Sequence, residues 1–154
     1  MKTGIKVQDV MTRNPVKVKT TNTVKECAQI MKENVVGSLL VFDNSDNLYG
    51  LVTERDFCRK AIAEGISLDT PVMKISERQL YTVKPEMDLF DAMKYISEKN
   101  VRHLPVLGTN DFVGFITVKD ILKLQPQLIE IMVERMQIKE QDKKLAILGE
   151  DFLL

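Results

Sequence analysis

The feature that most constrains this 154-residue chain is an internal repeat, in which two segments of similar pattern lie about 65 residues apart. Segments 23–31 and 88–96 both carry apolar residues at positions i, i+3, i+4 and i+7, which is the spacing of one face of an amphipathic helix. The repeat therefore predicts two equivalent helices, each with one buried face. The apolar residues of these faces are Val24, Cys27, Ala28 and Met31 in the first copy and Leu89, Ala92, Met93 and Ile96 in the second.

The segments that follow each helix also match one another. Each copy continues with a short apolar strand, a polar turn, and a second strand that contains a glycine and leads directly into another helix. A further short strand is predicted before each amphipathic helix, at 16–18 and at 81–83. The matching ranges after the helices are 37–41, 43–47 and 48–56 in the first copy and 102–106, 108–111 and 112–120 in the second.

These elements predict an α/β (α+β) fold built from two copies of a β-α-β-β-α motif. Residues 7–65 form the first motif, residues 66–124 the second, and residues 125–154 a C-terminal helical tail. Each copy alone has too few apolar residues for a stable core. The two motifs are therefore expected to pack face to face about a pseudo-twofold axis.

Particular residues mark the ends of three helices. Thr23 and Glu26 predict a capping box at the start of the first amphipathic helix, and Asp88 with Asp91 predicts one at the start of the second. Gly65 predicts the end of the helix that follows the first strand pair, because glycine is common just beyond a helix C-terminus.

The tail is predicted to contain one further helix, which begins at Pro126 and continues to Leu148. Its apolar residues form a stripe, with Glu and Lys on the other positions. The stripe packs either against the chain's own motifs or against a second subunit or partner, and both alternatives stay open. The residues of the stripe are Leu128, Ile129, Met132 and Met136.

Composition and charge argue against several classes of protein. The chain has 22 basic and 22 acidic residues, so no net charge favours nucleic acid. Its apolar runs are strand-sized, well short of the roughly 20 residues of a membrane span. The first residues also lack the apolar region of a signal peptide. We therefore expect a cytoplasmic protein that binds neither nucleic acid nor membrane.

The sequence contains no recognisable catalytic pattern. A P-loop, a catalytic triad, a cofactor fingerprint and a cluster of metal-ligating residues are all missing, so we expect no enzyme activity, no metal site and no catalytic cofactor. Cys27 and Cys58 are far apart in the sequence and lie at helical positions. Both are predicted to be buried free thiols.

The pattern Thr-x-x-Asp occurs twice, at 53–56 and 117–120, each time after a glycine-containing strand and at the start of a helix. An ionised aspartate can accept hydrogen bonds from both hydroxyls of a ribose. The threonine hydroxyl and the first N–H groups of the helix suit a phosphate. The same pattern is also that of a helix cap, and the two roles are compatible.

The order of these motifs, present twice, resembles the cystathionine-β-synthase (CBS) domain pair, or Bateman module. The resemblance covers nearly all of residues 7–124. It rests on Gly-Ser-Leu-Leu-Val and Arg-His-Leu-Pro-Val in the first strands, and on Gly-Leu-Val-Thr and Gly-Phe-Ile-Thr before each Asp. It implies an adenosyl ligand such as AMP, ADP, ATP or S-adenosylmethionine in clefts between the motifs. It also implies a module that regulates a partner domain or protein, and we expect this chain to form a homodimer.

The resemblance further implies which residues hold the ligand. The clefts are crossed, so each takes its Thr-x-x-Asp from one motif and its adenine contacts from the other. Arg102 and His103 stand where similar modules bring basic residues near the phosphates. The cleft of Asp56 is expected to contain Thr53, Arg55, Asp56, Thr82, Val83, His103, Leu104 and Pro105, and the cleft of Asp120 to contain Thr117, Lys119, Asp120, Lys17, Val18, Val36, Gly37 and Ser38.

The two clefts are expected to differ in affinity. His103 and Pro105 add bulk to one, whereas Gly37 leaves room in the other, so one cleft should bind more tightly. The function expected from these features is a non-catalytic regulatory module that binds adenosyl nucleotides and acts through a partner or through oligomer geometry. The alternatives are a structural scaffold that dimerises with vacant clefts, and a sensor of S-adenosylmethionine.

Overall fold

The computed structural model describes residues 2–124 and residue 137, so the helix predicted from Pro126 lies outside the described residues. The helix that begins directly after the first strand pair continues without a break as a π-helix, and a 3-10 helix follows it along the chain. The helices and strands are, in order, α1 (Val7–Val10), β1 (Lys17–Lys19), α2 (Val24–Asn34), β2 (Ser38–Phe42), β3 (Leu48–Thr53), α3 (Glu54–Asp56) with its π-helix (Phe57–Ile62), the 3-10 helix (Val72–Lys74), α4 (Leu89–Lys99), β4 (His103–Leu107), β5 (Phe112–Thr117) and α5 (Val118–Leu124).

The strands form two small sheets, one in each motif. In the first, β1 pairs in parallel with β2, and β2 pairs antiparallel with β3. In the second, β4 pairs antiparallel with β5. The predicted fold class is confirmed: two motifs of similar topology follow one another along the chain.

The strand predicted at 81–83 is reduced to one parallel bridge, between Val83 and Val106. In the first motif Thr20 extends the equivalent strand pairing, because its N–H donates to the carbonyl of Phe42. Pro85 occupies the matching position in the second motif and has no N–H to donate. The loss of this hydrogen bond explains why the second sheet lacks a regular first strand.

Each motif encloses its own apolar core. The first core joins α2 to β2 and β3, and the second joins α4 to β4, β5 and α5. A third cluster, formed by Leu40, Phe42, Leu51 and Phe115, draws on strands of both motifs. This shared cluster is the apolar contact through which the two sheets face one another.

The first segment of each motif packs on the other motif. Val7 lies in the second core, whereas Val72 lies in the first. Thr12 exchanges two backbone hydrogen bonds with Phe115 of β5, and Glu77 exchanges two with Leu51 of β3. These reciprocal contacts are those expected of two motifs related by a pseudo-twofold axis.

The predicted buried faces are correct with one exception. In α4 the four predicted residues are buried, and Met31 and Cys27 are buried in α2. Ala28 is exposed, because α2 has a narrower buried face than α4, which also packs against α5. Cys58 is exposed as well, so its predicted burial is wrong: the π-helix buries Ala61 instead, and its wider turns place the two residues on different faces.

Two of the three predicted helix ends are confirmed. Thr23 and Glu26 form the expected capping box, and Gly65 has a φ of 66° just beyond the π-helix. Asp88 caps α4 through the N–H of Phe90 rather than in a capping box with Asp91. Its carboxylate also accepts hydrogen bonds from the N-terminal segment at residues 3–4.

Burial separates the two cysteines chemically. Desolvation of the Cys27 thiol, with a smaller effect of the nearby Glu26 carboxylate, raises its pKa to about 12. Cys27 is therefore an inert thiol at neutral pH, whereas Cys58 is open to solvent. Within residues 2–124 and at residue 137, no helix is long and apolar enough to cross a membrane.

Candidate functional site

A cavity of about 730 Å³ lies between the two motifs, beside the first Thr-x-x-Asp segment. The end of β3 and the start of α3 form one wall. Residues 77 and 79–81 form a second wall and belong to the linker, which is the segment 75–88 between the 3-10 helix and α4. Residues 100–103 at the entry to β4 form a third wall. Chain segments of both motifs therefore line this cavity, as expected of a crossed cleft.

Asp56 is held in place by the threonine that precedes its helix. The backbone N–H and the hydroxyl of Thr53 both donate to its Oδ2, at 2.9 and 2.8 Å. Its Oδ1 forms an ion pair of 2.9 Å with the ammonium group of Lys60, one turn further along the helix. The predicted capping role of Asp56 is therefore realised, and both carboxylate oxygens have partners.

Asp120 occupies the equivalent place in the second motif with nearly the same geometry. The N–H and hydroxyl of Thr117 donate to Oδ2, again at 2.9 and 2.8 Å. Leu124 stands four residues later, where the first motif has Lys60. Among the residues that the structure describes, Oδ1 of Asp120 has no partner.

The first N–H of each helix is already used. Glu54 donates its N–H to the carbonyl of Gly37, and Val118 donates to the carbonyl of Arg102. These two bonds join the start of each helix to the residue just before β2 or β4, which is the strand that pairs with the one leading into that helix. A phosphate in either cleft would therefore rely on later N–H groups and on basic side chains rather than on the first N–H.

His103 lies between the two Thr-x-x-Asp segments. Its ring stacks on Phe115, with centroids 5.9 Å apart and planes inclined by 8°. Burial lowers its pKa, and the positive charge of Arg102 lowers it further, while the carboxylates of Asp120 and Asp56 oppose the shift. The ring is therefore neutral at pH 7, and it is electrostatically coupled to both aspartates.

The lowered pKa of His103 predicts how stability depends on pH. The unfolded chain has the ordinary histidine pKa of about 6.5 and takes up a proton first, so the free energy of unfolding should fall as pH drops below that value. His103 is the only histidine, so His103→Phe, which keeps the ring stacked on Phe115, should remove most of the change between pH 7.5 and 5.5. Urea unfolding at each pH measures it, and an unchanged pH dependence in the variant would contradict the assignment.

The structure distributes the predicted site residues unevenly. Thr53, Arg55, Asp56, Arg102, His103 and Gly37 line the 730 Å³ cavity, although Gly37 was predicted for the other cleft. Lys17 and Val18 line a separate cavity of about 290 Å³ that also contains Lys19 and Phe42. Of the other predicted residues, Val83 and Pro105 are buried, and Thr82, Val36 and Ser38 are half-buried. In the second Thr-x-x-Asp segment, Thr117 and Asp120 are half-buried and Lys119 is exposed.

Several residues that line the larger cavity were missed by the sequence analysis. Tyr81 stands one residue before the predicted adenine contacts at 82–83, and it belongs to the predicted strand at 81–83 but had no predicted contact with a ligand. Glu54 lies inside the first Thr-x-x-Asp segment but was given no role there, and the others belong to β3, to the linker and to the residues just after α4, for which the repeat gave no functional signal. The missed residues are Leu51, Glu54, Glu77, Gln79, Leu80, Tyr81, Asn100 and Val101.

Comparisons with known proteins agree with this architecture. The family model of the CBS domain matches residues 7–63 and again residues 72–127. An uncharacterised protein of Methanopyrus kandleri is 30% identical over 136 residues, which is 87% of this chain and 69% of that protein.

Two solved structures have the same overall fold. A CBS domain protein of unknown function from Thermoplasma acidophilum superposes with a TM-score of 0.76 at 26% identity, covering 86% of this chain and 76% of that one. A CBS domain protein from Pyrobaculum aerophilum was solved in complex with AMP. It superposes with a TM-score of 0.72 at 26% identity, covering 84% of this chain and 99% of that one.

Proposed function

Because this chain belongs to the CBS domain family, we propose that it is a non-catalytic regulatory module that binds an adenosyl nucleotide of the AMP, ADP or ATP class. The observation that carries the proposal is the pair of threonine-anchored carboxylates, Asp56 and Asp120, one of which borders a cavity between the motifs. The volume of about 730 Å³ lies within the usual range for small-molecule sites. The AMP bound to the Pyrobaculum aerophilum protein supports the same class of ligand.

The cavity beside Asp56 offers a partner for each part of such a ligand. The carboxylate accepts from the ribose hydroxyls, and the charged side chains of Arg55 and Arg102 attract phosphate. Leu80 and Tyr81 provide apolar and aromatic surface for the base. In the other cleft, Lys119 provides the positive charge and Asp120 the carboxylate.

A sensor of S-adenosylmethionine is the second candidate, and the acidic residues of the cavity favour it. Glu54 and Glu77 both line the wall beside Asp56. Their carboxylates suit the sulfonium and ammonium groups of that ligand better than a chain of phosphates. The two ligand classes therefore differ in the sign of the charge that they would place beside Glu54 and Glu77.

We also propose that the protein acts in the cytoplasm as a homodimer and passes its signal to a regulated protein. Exposed apolar side chains support a protein–protein contact on the first motif: Val35 is 90% exposed and Ile62 75%. A ligand that alters the packing of the two motifs would change the geometry of such a surface.

Ligand binding is tested by thermal unfolding and calorimetry with AMP, ADP, ATP and S-adenosylmethionine, with GMP as the matched control. A ligand that binds only the folded protein adds about 2.7 kcal/mol to the free energy of unfolding at one hundred times its Kd. We expect at least one adenosyl compound to raise the midpoint temperature of unfolding, whereas GMP should leave it unchanged. If none does so at millimolar concentration, the module is a scaffold with vacant clefts.

A further inference from the structure

The two aspartates differ in how many hydrogen-bond positions they have left for a ligand. A carboxylate offers about four lone-pair positions. In each motif the threonine N–H and hydroxyl take the two positions on Oδ2. The ammonium group of Lys60 takes one more on Oδ1 of Asp56. Counting only partners within the described residues, Asp120 therefore retains about two positions and Asp56 about one.

A ribose diol brings two O–H donors. Asp120 can accept both on Oδ1 without losing any bond that the structure shows. Asp56 can accept both only if the ammonium group of Lys60 moves away. The diol and the ammonium group would compete for Asp56 in a poorly solvated region, because the Asp56 side chain is 15% exposed and the Lys60 side chain 37%.

Lys60 is held by a second partner, which keeps it beside Asp56. Its ammonium group donates to the carbonyl oxygen of Ile75 at 3.2 Å. Ile75 is fully buried in the core of the first motif, and two residues later Glu77 pairs with Leu51. Lys60 therefore joins the aspartate to the segment that continues into the facing wall of the cavity.

We propose that Lys60 is an internal competitor of the ribose diol, which makes the Asp56 cleft weaker and less selective for a diol than the Asp120 cleft. The inference rests on the proposed function and adds to it the residue that sets the difference between the clefts. The asymmetry is present in the sequence, where Leu124 replaces Lys60 in the second motif. Leu124 is 54% exposed, so a lysine can be placed there without disturbing the core.

The experiment measures each cleft separately by calorimetry in full-length protein. Asp120→Ala leaves the Asp56 cleft, and Asp56→Ala leaves the Asp120 cleft. Each is titrated with adenosine and with 2′,3′-dideoxyadenosine, which has no diol. Adding Lys60→Met to Asp120→Ala should raise the adenosine affinity about tenfold and leave the dideoxy ligand within about twofold, since one hydrogen bond to a charged group is gained. Lys60→Arg should keep the competition.

The reciprocal variant tests the same idea in the other cleft. Adding Leu124→Lys to Asp56→Ala should lower the adenosine affinity several-fold while the dideoxy ligand binds as before. If Lys60→Met changes the affinity for both ligands equally, or changes neither affinity while adenosine still binds, the inference about Lys60 is wrong and the proposed function stands. If neither ligand binds any of these proteins or the wild type at millimolar concentration, the proposed function fails and the competition fails with it.

Discussion

Replacing Asp120 by alanine is expected to weaken the binding of an adenosine-containing ligand in its cleft by about 10- to 100-fold. The physical reason is the loss of a charged acceptor, since even one hydrogen bond to a charged group is worth about 1.5–3 kcal/mol. Oδ1 of Asp120 has no partner among the described residues, so this variant removes a group that is free for the diol. Calorimetry with adenosine at constant pH and salt measures the change.

Controls are needed because Asp120 also caps its helix. Losing the bonds to Thr117 should cost about 0.5–2 kcal/mol of stability, so affinity must be measured well below the unfolding midpoint. Thr117→Val removes the hydroxyl partner but leaves the carboxylate, and it should weaken adenosine binding far less. Asp56→Ala should also have the smaller effect. If the Kd of Asp120→Ala for adenosine lies within twofold of the wild-type Kd, the aspartate does not contact the sugar.

Much of the fold followed from the sequence because local signals and the repeat agreed. The strands β2 and β4 begin within one residue of their predicted starts, and both Thr-x-x-Asp segments cap their helices as proposed. Apolar periodicity identified the buried faces because each helix packs on its own sheet, close in sequence. These predictions depended on short-range patterns that the second copy repeated.

Other features depend on contacts between distant segments and could not be derived from a local pattern. The wall of the cavity at Glu77 and Tyr81 exists because the linker pairs with β3 of the first motif. The exposure of Cys58 follows from a π-helix that no residue signals in advance. The ion pair of Lys60 with Asp56 fits the ordinary i, i+4 spacing, but its link to Ile75 required the folded chain.

The glycines inside β3 and β5 show the same limit. The sequence marked both as interruptions of a strand, without a reason for them. In the structure, a Cβ at Gly50 would lie 2.6 Å from the carbonyl oxygen of Glu77, and a Cβ at Gly114 would collide with the side chain of Met11. Each glycine therefore admits the first segment of the other motif, as expected where a second chain segment approaches a strand closely.

Gly50→Ala is accordingly expected to lower the free energy of unfolding by about 1–3 kcal/mol, the usual cost of forcing atoms into a packed site. The obstacle is a backbone oxygen that accepts the N–H of Leu51, so it cannot move aside without breaking that pair. Gly37→Ala is the matched control, because its Cβ would meet only the exposed side chain of Glu54, at 3.2 Å, and that side chain can rotate. We expect the free energy of unfolding of the control, measured in urea, to lie within about 1 kcal/mol of the wild-type value. Since Glu77 lines the cavity, Gly50→Ala should weaken adenosine binding as well. Equal stability of the two variants would mean that the linker does not hold the motifs together at this point.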